Sequence, residues 1–262
     1  MNKRIYFPIA ILLVALFVSG CGMQVVMGSG KVAAETREVS NFSSIKLAGI
    51  GDVIVTQGEN VSLRIEAEDN LIPYFETTVQ GNTLTIGMKN EYLGISLHPT
   101  KPVKFYVTTP QIDAVTLAGS GNIITTDVKT TGFKVSLLGS GNISNTSLVA
   151  TNVDINLAGS GNISLDKVTS TSISSIIAGS GNITVAGEVT GQTAKILGSG
   201  DYLANGLKSK TALVNVTGSG NSQVWVTGSL EVTILGSGDV VYTGTPTVNT
   251  SIAGSGHVKS AD

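Results

Sequence analysis

The chain has 262 residues but one cysteine, two histidines, six prolines, one tryptophan and a charged fraction of only 13%. Each shortage removes a class of protein. A single cysteine, Cys21, cannot form a disulfide within the chain, so stability must come from packing and backbone pairing. The charged fraction is about half the usual ~25%, the net charge is −2, and there is no basic patch to neutralise phosphates. Nucleic acid is therefore not an expected partner. His98 and His257 lie far apart, so no histidine cluster suggests zinc. The charges Asp127, Lys129, Lys134, Asp154, Asp166 and Lys167 are scattered, as solvated turn residues are. No Gly-x-Ser-x-Gly elbow appears in a strand-to-helix context. No catalytic residue, metal or cofactor is expected, and the chain is not read as an enzyme.

The one long apolar run is at the start. Lys3 and Arg4 precede Ile9 to Val18, and Val18-Ser19-Gly20 then lead into Cys21. That is a secretory signal of residues 1–20, and it resembles a bacterial lipobox in which Cys21 becomes the lipidated first residue. The run is too short to span a bilayer comfortably. Several acyl chains on one residue anchor firmly where one would not, so the membrane is reached through lipid. Gly22 is not aspartate, which favours the outer membrane and leaves cell surface or periplasm open. Residues 21–27 are a tether.

What is abundant is glycine, 32 residues of it. Between Gly119 and Gly256, Gly-Ser-Gly opens eight times, at Gly119, Gly139, Gly159, Gly179, Gly198, Gly218, Gly236 and Gly254, at intervals of 20, 20, 20, 19, 20, 18 and 18. A fixed period of this length marks a solenoid. The closing glycines are Gly121, Gly141, Gly161, Gly181, Gly200, Gly220, Gly238 and Gly256. Paired glycines are expected here to reach φ > 0 and reverse the chain sharply. Gly49-Ile50-Gly51-Asp52 reads as a degenerate copy, and Gly28-Ser29-Gly30 as an earlier one.

Aliphatic residues flank every turn. Leu117, Leu137, Leu157, Ile177, Ile196, Val216, Ile234 and Ile252 stand two positions before the motif. Ile123, Ile143, Ile163, Ile183, Tyr202, Ser222, Val240 and Val258 stand four after its first glycine. A third apolar position follows at Val128, Leu148, Val168 and Leu207. Phe133-Lys134-Val135-Ser136-Leu137 alternates as a strand with one wet face does, and no copy has a helical period. The expected fold is all-β: a right-handed single-stranded parallel β-helix of about 20 residues per coil over 111–262, continuous with a less regular β segment over 28–110. A leucine-rich-repeat horseshoe lacks the helix-forming half it would need. In 28–110 the predicted strands are Val53–Val55, Val61–Ala67, Thr83–Met88 and Val103–Thr108. Gln57-Gly58-Glu59-Asn60 and Gln80-Gly81-Asn82 read as hairpin turns, Asp69–Phe75 as a helical turn or loop, and Glu91–Thr100 as an irregular loop.

After each Gly-Ser-Gly comes one column: Asn122, Asn142, Asn162, Asn182, Asp201, Asn221, Asp239 and His257. Such residues can hydrogen-bond up a stack as amide ladders do. As a calcium stripe the column is poor, with two acidic members two coils apart and a cation that wants six to eight oxygens. Outward rows of Ser, Thr and Asn suit binding of a glycan or protein, or simply solubility. Trp225 alternates with Val224 and Val226, and with Tyr202 and Tyr242 it could form an aromatic platform. The coil ends suggest a dimer or trimer.

The turns, together with Arg37–Ile45, Gly49–Gly58, Leu63–Leu71 and Thr83–Ile86, resemble the autotransporter adhesin head domain of the GIN type across about Thr36 to Val258. The resemblance implies a right-handed β-helix similar to pectin lyases without their catalytic residues, and a role in adhesion at the bacterial surface. An autotransporter also needs a C-terminal membrane barrel. None follows Val258 in this sequence, so lipid on Cys21 is expected to anchor it instead. The alternatives are an envelope scaffold that self-associates and, less favoured, a polysaccharide-acting enzyme.

Overall fold

The computed structural model describes residues 24–261. The signal, Cys21 and the start of the tether lie outside them. The N-terminal part contains β1 (Gln24–Met27), β2 (Val32–Arg37), β3 (Ser44–Ala48), β4 (Asp52–Gln57), β5 (Ser62–Glu68), β6 (Phe75–Gln80), β7 (Thr83–Met88), β8 (Ile95–His98) and β9 (Lys104–Thr109). The repeats follow as β10 (Ala114–Leu117), β11 (Asn122–Leu137), β12 (Ile143–Leu157), β13 (Ile163–Ile177), β14 (Ile183–Ile196), β15 (Tyr202–Val216), β16 (Ser222–Ile234), β17 (Val240–Thr243), β18 (Thr247–Ile252) and β19 (Val258–Ser260).

From β10 on, the chain is a parallel β-solenoid in which β11 to β16 each run from one Gly-Ser-Gly turn round to the next, and β17 and β18 divide the coil after them. Like residues pair in register: Ile123 with Ile143, Ile143 with Ile163, Ile163 with Ile183 and Ile183 with Tyr202. The apolar column before the turns is stacked the same way, Leu137 on Leu157 on Ile177 on Ile196 on Val216 on Ile234. These side chains and the third set, Val128, Leu148, Val168 and Leu207, are buried. Burial at about 25 cal/mol per Å² of apolar surface and parallel ladders between neighbouring coils act together along the whole length. Only at the C-terminal end do the columns open, where Ile252 is 46% exposed.

The long gap in the repeat between Gly49 and Gly119 has a simple cause. β3 and β4 flank the Gly49–Gly51 turn as a coil of the solenoid, and β10 and β11 stack directly on them, Leu47 against Leu117 and Val53 against Ile123. The residues in between fold back to close the other side. β7 pairs with β3 and β9 with β4 in parallel, after which β6, β5 and β2 add antiparallel. Phe75 and Phe105 fill this cap edge-to-face, their ring centroids 5.3 Å apart.

The four predicted N-terminal strands correspond to β4, β5, β7 and β9. Gln80-Gly81-Asn82 turns the β6–β7 hairpin, with Gly81 at φ +58°. Two local expectations change and a third is met. Gln57–Asn60 is no hairpin turn, because β4 and β5 pair with opposite edges of β9 rather than with each other. Glu91–Thr100 is not wholly irregular: its β8 pairs in parallel with β1. Asp69–Phe75 contains a 3₁₀ turn at Ile72–Tyr74, with Pro73 in its first positions.

Gly28-Ser29-Gly30 is not a repeat copy. It wraps the enclosed carboxylate of Glu68, which accepts hydrogen bonds from the Gly30 amide at 2.6 Å and the Thr100 amide at 2.8 Å, and from the Thr100 hydroxyl. A Cβ on Gly28 would stand 1.9 Å from Glu68 Oε2, so a larger residue there would have to push the carboxylate off its hydrogen bonds.

Candidate functional site

The turn column is built by close approach rather than by unusual dihedrals. None of the sixteen glycines from Gly119 to Gly256 that open or close a motif has positive φ, contrary to the expectation for a sharp reversal. Their constraint is the neighbouring coil. A Cβ on Gly139 would lie 1.9 Å from the Gly119 carbonyl oxygen, and one on Gly161 would lie 1.6 Å from that of Gly141. The same contact recurs at Gly121, Gly141, Gly159, Gly179, Gly181, Gly198, Gly200, Gly218, Gly220, Gly236, Gly238, Gly254 and Gly256. Glycine lets adjacent turns sit at strand spacing and hydrogen-bond across it, as Ser140 N–H does to the Gly119 carbonyl at 3.1 Å.

Beside the glycines runs an unbroken ladder. Asn122 donates to Asp52 Oδ1 at 2.8 Å. The backbone N–H of Asn142 then donates to Asn122 Oδ1, Asn162 to Asn142, Asn182 to Asn162 and Asp201 to Asn182, at 2.9–3.1 Å. Asn221 donates to Asp201, Asp239 to Asn221 and His257 to Asp239, at 2.7–2.9 Å. The acceptor oxygen is the common requirement, which explains why Asp substitutes freely for Asn. The hydrogen bond from the His257 amide holds the Asp239 carboxyl below its ordinary value. Among the described residues no group of three or more His, Cys, Asp or Glu could hold a metal ion.

The three aromatic residues separate. Tyr202 is fully buried, because it occupies the interior column between Ile183 and Ser222. Tyr242 pairs with buried Val224 and packs against the core. Trp225, between buried Val224 and Val226, faces outward and is half-buried. With Tyr202 in the interior the three-residue platform is not formed, and Trp225 is the one of the three on the outer row.

A cleft of about 620 Å³ is lined by residues that include Thr169, Glu188, Thr190, Lys208, Lys210 and Thr227, and Trp225 is the register neighbour of its Lys208. In register, Thr169, Glu188, Lys208 and Trp225 follow one another across four coils on the outer face. The cleft lies where the repeat is irregular. Ala204 pairs with Val224 but Lys208 with Trp225, so Asn205, Gly206 and Leu207 have no counterparts in the shorter β16. Smaller shifts occur between Leu165 and Val168 and between Thr184 and Ala186. The unequal motif intervals carried this signal in the sequence.

A buried polar chain fixes the wall behind it. Tyr202 Oη donates to Gln192 Oε1 at 3.2 Å, Gln192 Nε2 to Ser209 Oγ at 2.8 Å, and Ser209 Oγ to the Trp225 carbonyl at 3.0 Å. Burial pushes the Tyr202 phenol up, so it stays a neutral donor. Sequence reading missed Gln192 and Ser209, since one polar residue at an inward position looks like any outward one.

A second cavity, of about 380 Å³, lies between the cap and the first coil. Its lining is mostly apolar, from Leu47, Ile50, Phe75, Ile86, Leu93 and Leu97. Among the described residues no helix is long and apolar enough to cross a membrane.

The family described as "Putative auto-transporter adhesin, head GIN domain" matches residues 41–246. Among curated proteins none matches. A solved structure described as a "Putative lipid binding protein" from Parabacteroides distasonis is 28% identical, with a TM-score of 0.86, over 91% of this chain and 100% of that one. A "putative adhesin" from Parabacteroides merdae is 25% identical, with a TM-score of 0.82 and the same coverage. A "putative adhesin" from Parabacteroides distasonis, at 24% identity and a TM-score of 0.82, shares the fold.

Proposed function

Because the chain belongs to the GIN head-domain family of adhesins, we propose that it is a non-catalytic adhesive protein of the bacterial cell envelope. It is exported, anchored in the outer membrane through lipid on Cys21, and presents its solenoid to a glycan or protein ligand. The observation that carries this reading is the outward surface. Apart from the position before each turn, where Leu138, Leu197 and Leu235 are exposed, its outward rows are largely polar, its charges do not gather into a metal cluster among the described residues, and its side-chain ladder spends the Asn and Asp oxygens on structure.

Two measurements test it. Intact mass should show diacylglyceryl modification that Cys21→Ser removes. Protease shaving of intact cells should remove the repeat domain while periplasmic controls survive. Full protection would overturn surface display and favour an envelope scaffold. The companion proposal is that copies meet as a dimer or trimer. A monomer in light scattering at all practical concentrations would sink it.

One observation favours a second reading. The apolar cavity beside Phe75 and Leu93 could hold an acyl chain, and a relative bears a lipid-binding description. Co-purification of fatty acid, lost in Leu93→Glu, would support it; a lipid-free preparation that takes up no added palmitate would end it.

A further inference from the structure

We propose that the cleft beside Trp225 is a binding site for a glycan bearing carboxylates, such as a uronate polymer. This rests on the adhesive reading and names its ligand class. The site is where four independent features meet. The repeat shortens there, so that three residues of β15 have no counterpart in β16 and the outer face becomes concave. The only tryptophan of the chain, half-buried, faces outward next to the lining residue Lys208 in register. Lys208 and Lys210 line the cleft with Glu188, giving it a net positive charge in a chain whose net charge is −2. The backbone at its wall is pinned from behind by Ser209, which donates to the Trp225 carbonyl, while the Thr227 hydroxyl donates to the Ser209 carbonyl at 3.0 Å.

The chemistry of the lining selects the ligand. Lys208 and Lys210 each offer three N–H donors suited to a carboxylate. Glu188 accepts from sugar hydroxyls, and Thr169, Thr190 and Thr227 both donate and accept. The apolar C–H face of a pyranose ring can cover the accessible part of the half-buried indole, as other amphipathic contacts of tryptophan do. A peptide fits less well. Strands β14, β15 and β16 have neighbours on both sides over most of their length, so no long edge is free for an added strand, and the cleft offers no deep apolar pocket for an anchoring side chain.

The test uses tryptophan fluorescence of the purified protein, since all emission comes from Trp225. Oligogalacturonate and hyaluronan oligosaccharides should change the emission saturably, with affinity falling as salt rises, and dextran should not. The Lys208→Gln/Lys210→Gln variant should bind about tenfold more weakly or worse, by loss of charge-assisted hydrogen bonds. Trp225→Ala, read by calorimetry, should abolish binding. Both variants change outward side chains, and unchanged melting checks that they fold. No emission change with either acidic oligosaccharide, an equal change with dextran, or undiminished binding by the lysine variant would overturn the proposal. Surface display is decided by shaving alone, so failure here would reject the ligand class and leave the adhesive reading standing.

Discussion

Tyr202 stands directly over Ser222 in the interior column that otherwise carries isoleucine and valine. The largest residue of that column thus neighbours its smallest, and the two together keep the coil spacing constant. The phenol also reaches Gln192, so one residue serves both packing and the buried polar chain.

Tyr202→Phe keeps the ring but leaves the buried Gln192 Oε1 without its donor. The expected loss is about 1–3 kcal/mol, the cost of an unsatisfied buried acceptor. Ser222→Ala should act oppositely. Its hydroxyl is buried with no hydrogen-bond partner among the described residues, and deleting it should be neutral or stabilise by up to about 1 kcal/mol. Denaturant unfolding of the two variants checks both signs.

The motif glycines should tolerate no side chain. Gly159→Ala places a methyl 1.9 Å from the Gly139 carbonyl oxygen, against backbone that cannot move without parting two coils. A loss of about 1–3 kcal/mol or more is expected. Gly132→Ala is the control. No atom lies within 4 Å of its Cβ position and its φ is not positive, so stability should hold or rise by about 0.4–1 kcal/mol. Similar melting temperatures for the two variants would refute the close-approach account.

The repeated aliphatic positions made the solenoid legible, because a period-two strand pattern at a 20-residue spacing has few other solutions. The reason for the glycines was not legible. Positive φ and close backbone approach select the same residue, and only the coil above Gly139 tells them apart. Gly28-Ser29-Gly30 misled for the same reason, since a carboxylate cradle and a turn share their letters. The cap was hidden because it mixes parallel and antiparallel pairings that mostly span tens of residues, as between Val32 and Glu68. Tyr202 was legible as a member of the interior column, whereas the alternation of Trp225 with Val224 and Val226 left open which set faces outward.

The ladder requires an oxygen acceptor in each coil, and this can be separated from the amide. Asn142→Ala removes the acceptor of the Asn162 amide and should cost about 1 kcal/mol. Asn142→Asp keeps that oxygen and loses only the weaker side-chain donation to Asn122 at 3.1 Å. It should fall between wild type and alanine, in the manner of the native Asp201, which accepts both the Asn221 amide and side chain. Equal losses in thermal unfolding would mean that the amide donor, not the acceptor, matters.

Acid should loosen the cap through Glu68. The hydrogen bond from the Thr100 side chain, with those from the Thr100, Gly30 and Lys101 amides, holds its carboxyl below the ordinary 4.5. A carboxyl lowered in the folded state adds stability that is fully present above its unfolded value and is lost as pH falls through the folded one. Wild type should therefore lose stability below about pH 4.5 by more than Glu68→Gln does. The variant should be weaker at neutral pH, since its amide N–H group must face donors. Asp69, Asp113 and Asp239 are also lowered, but they are common to both proteins and cancel in the difference. Hydrogen exchange should place the acid-sensitive opening at residues 28–31 and 99–101. Parallel pH profiles for the two proteins would show that the carboxylate contributes nothing through its charge.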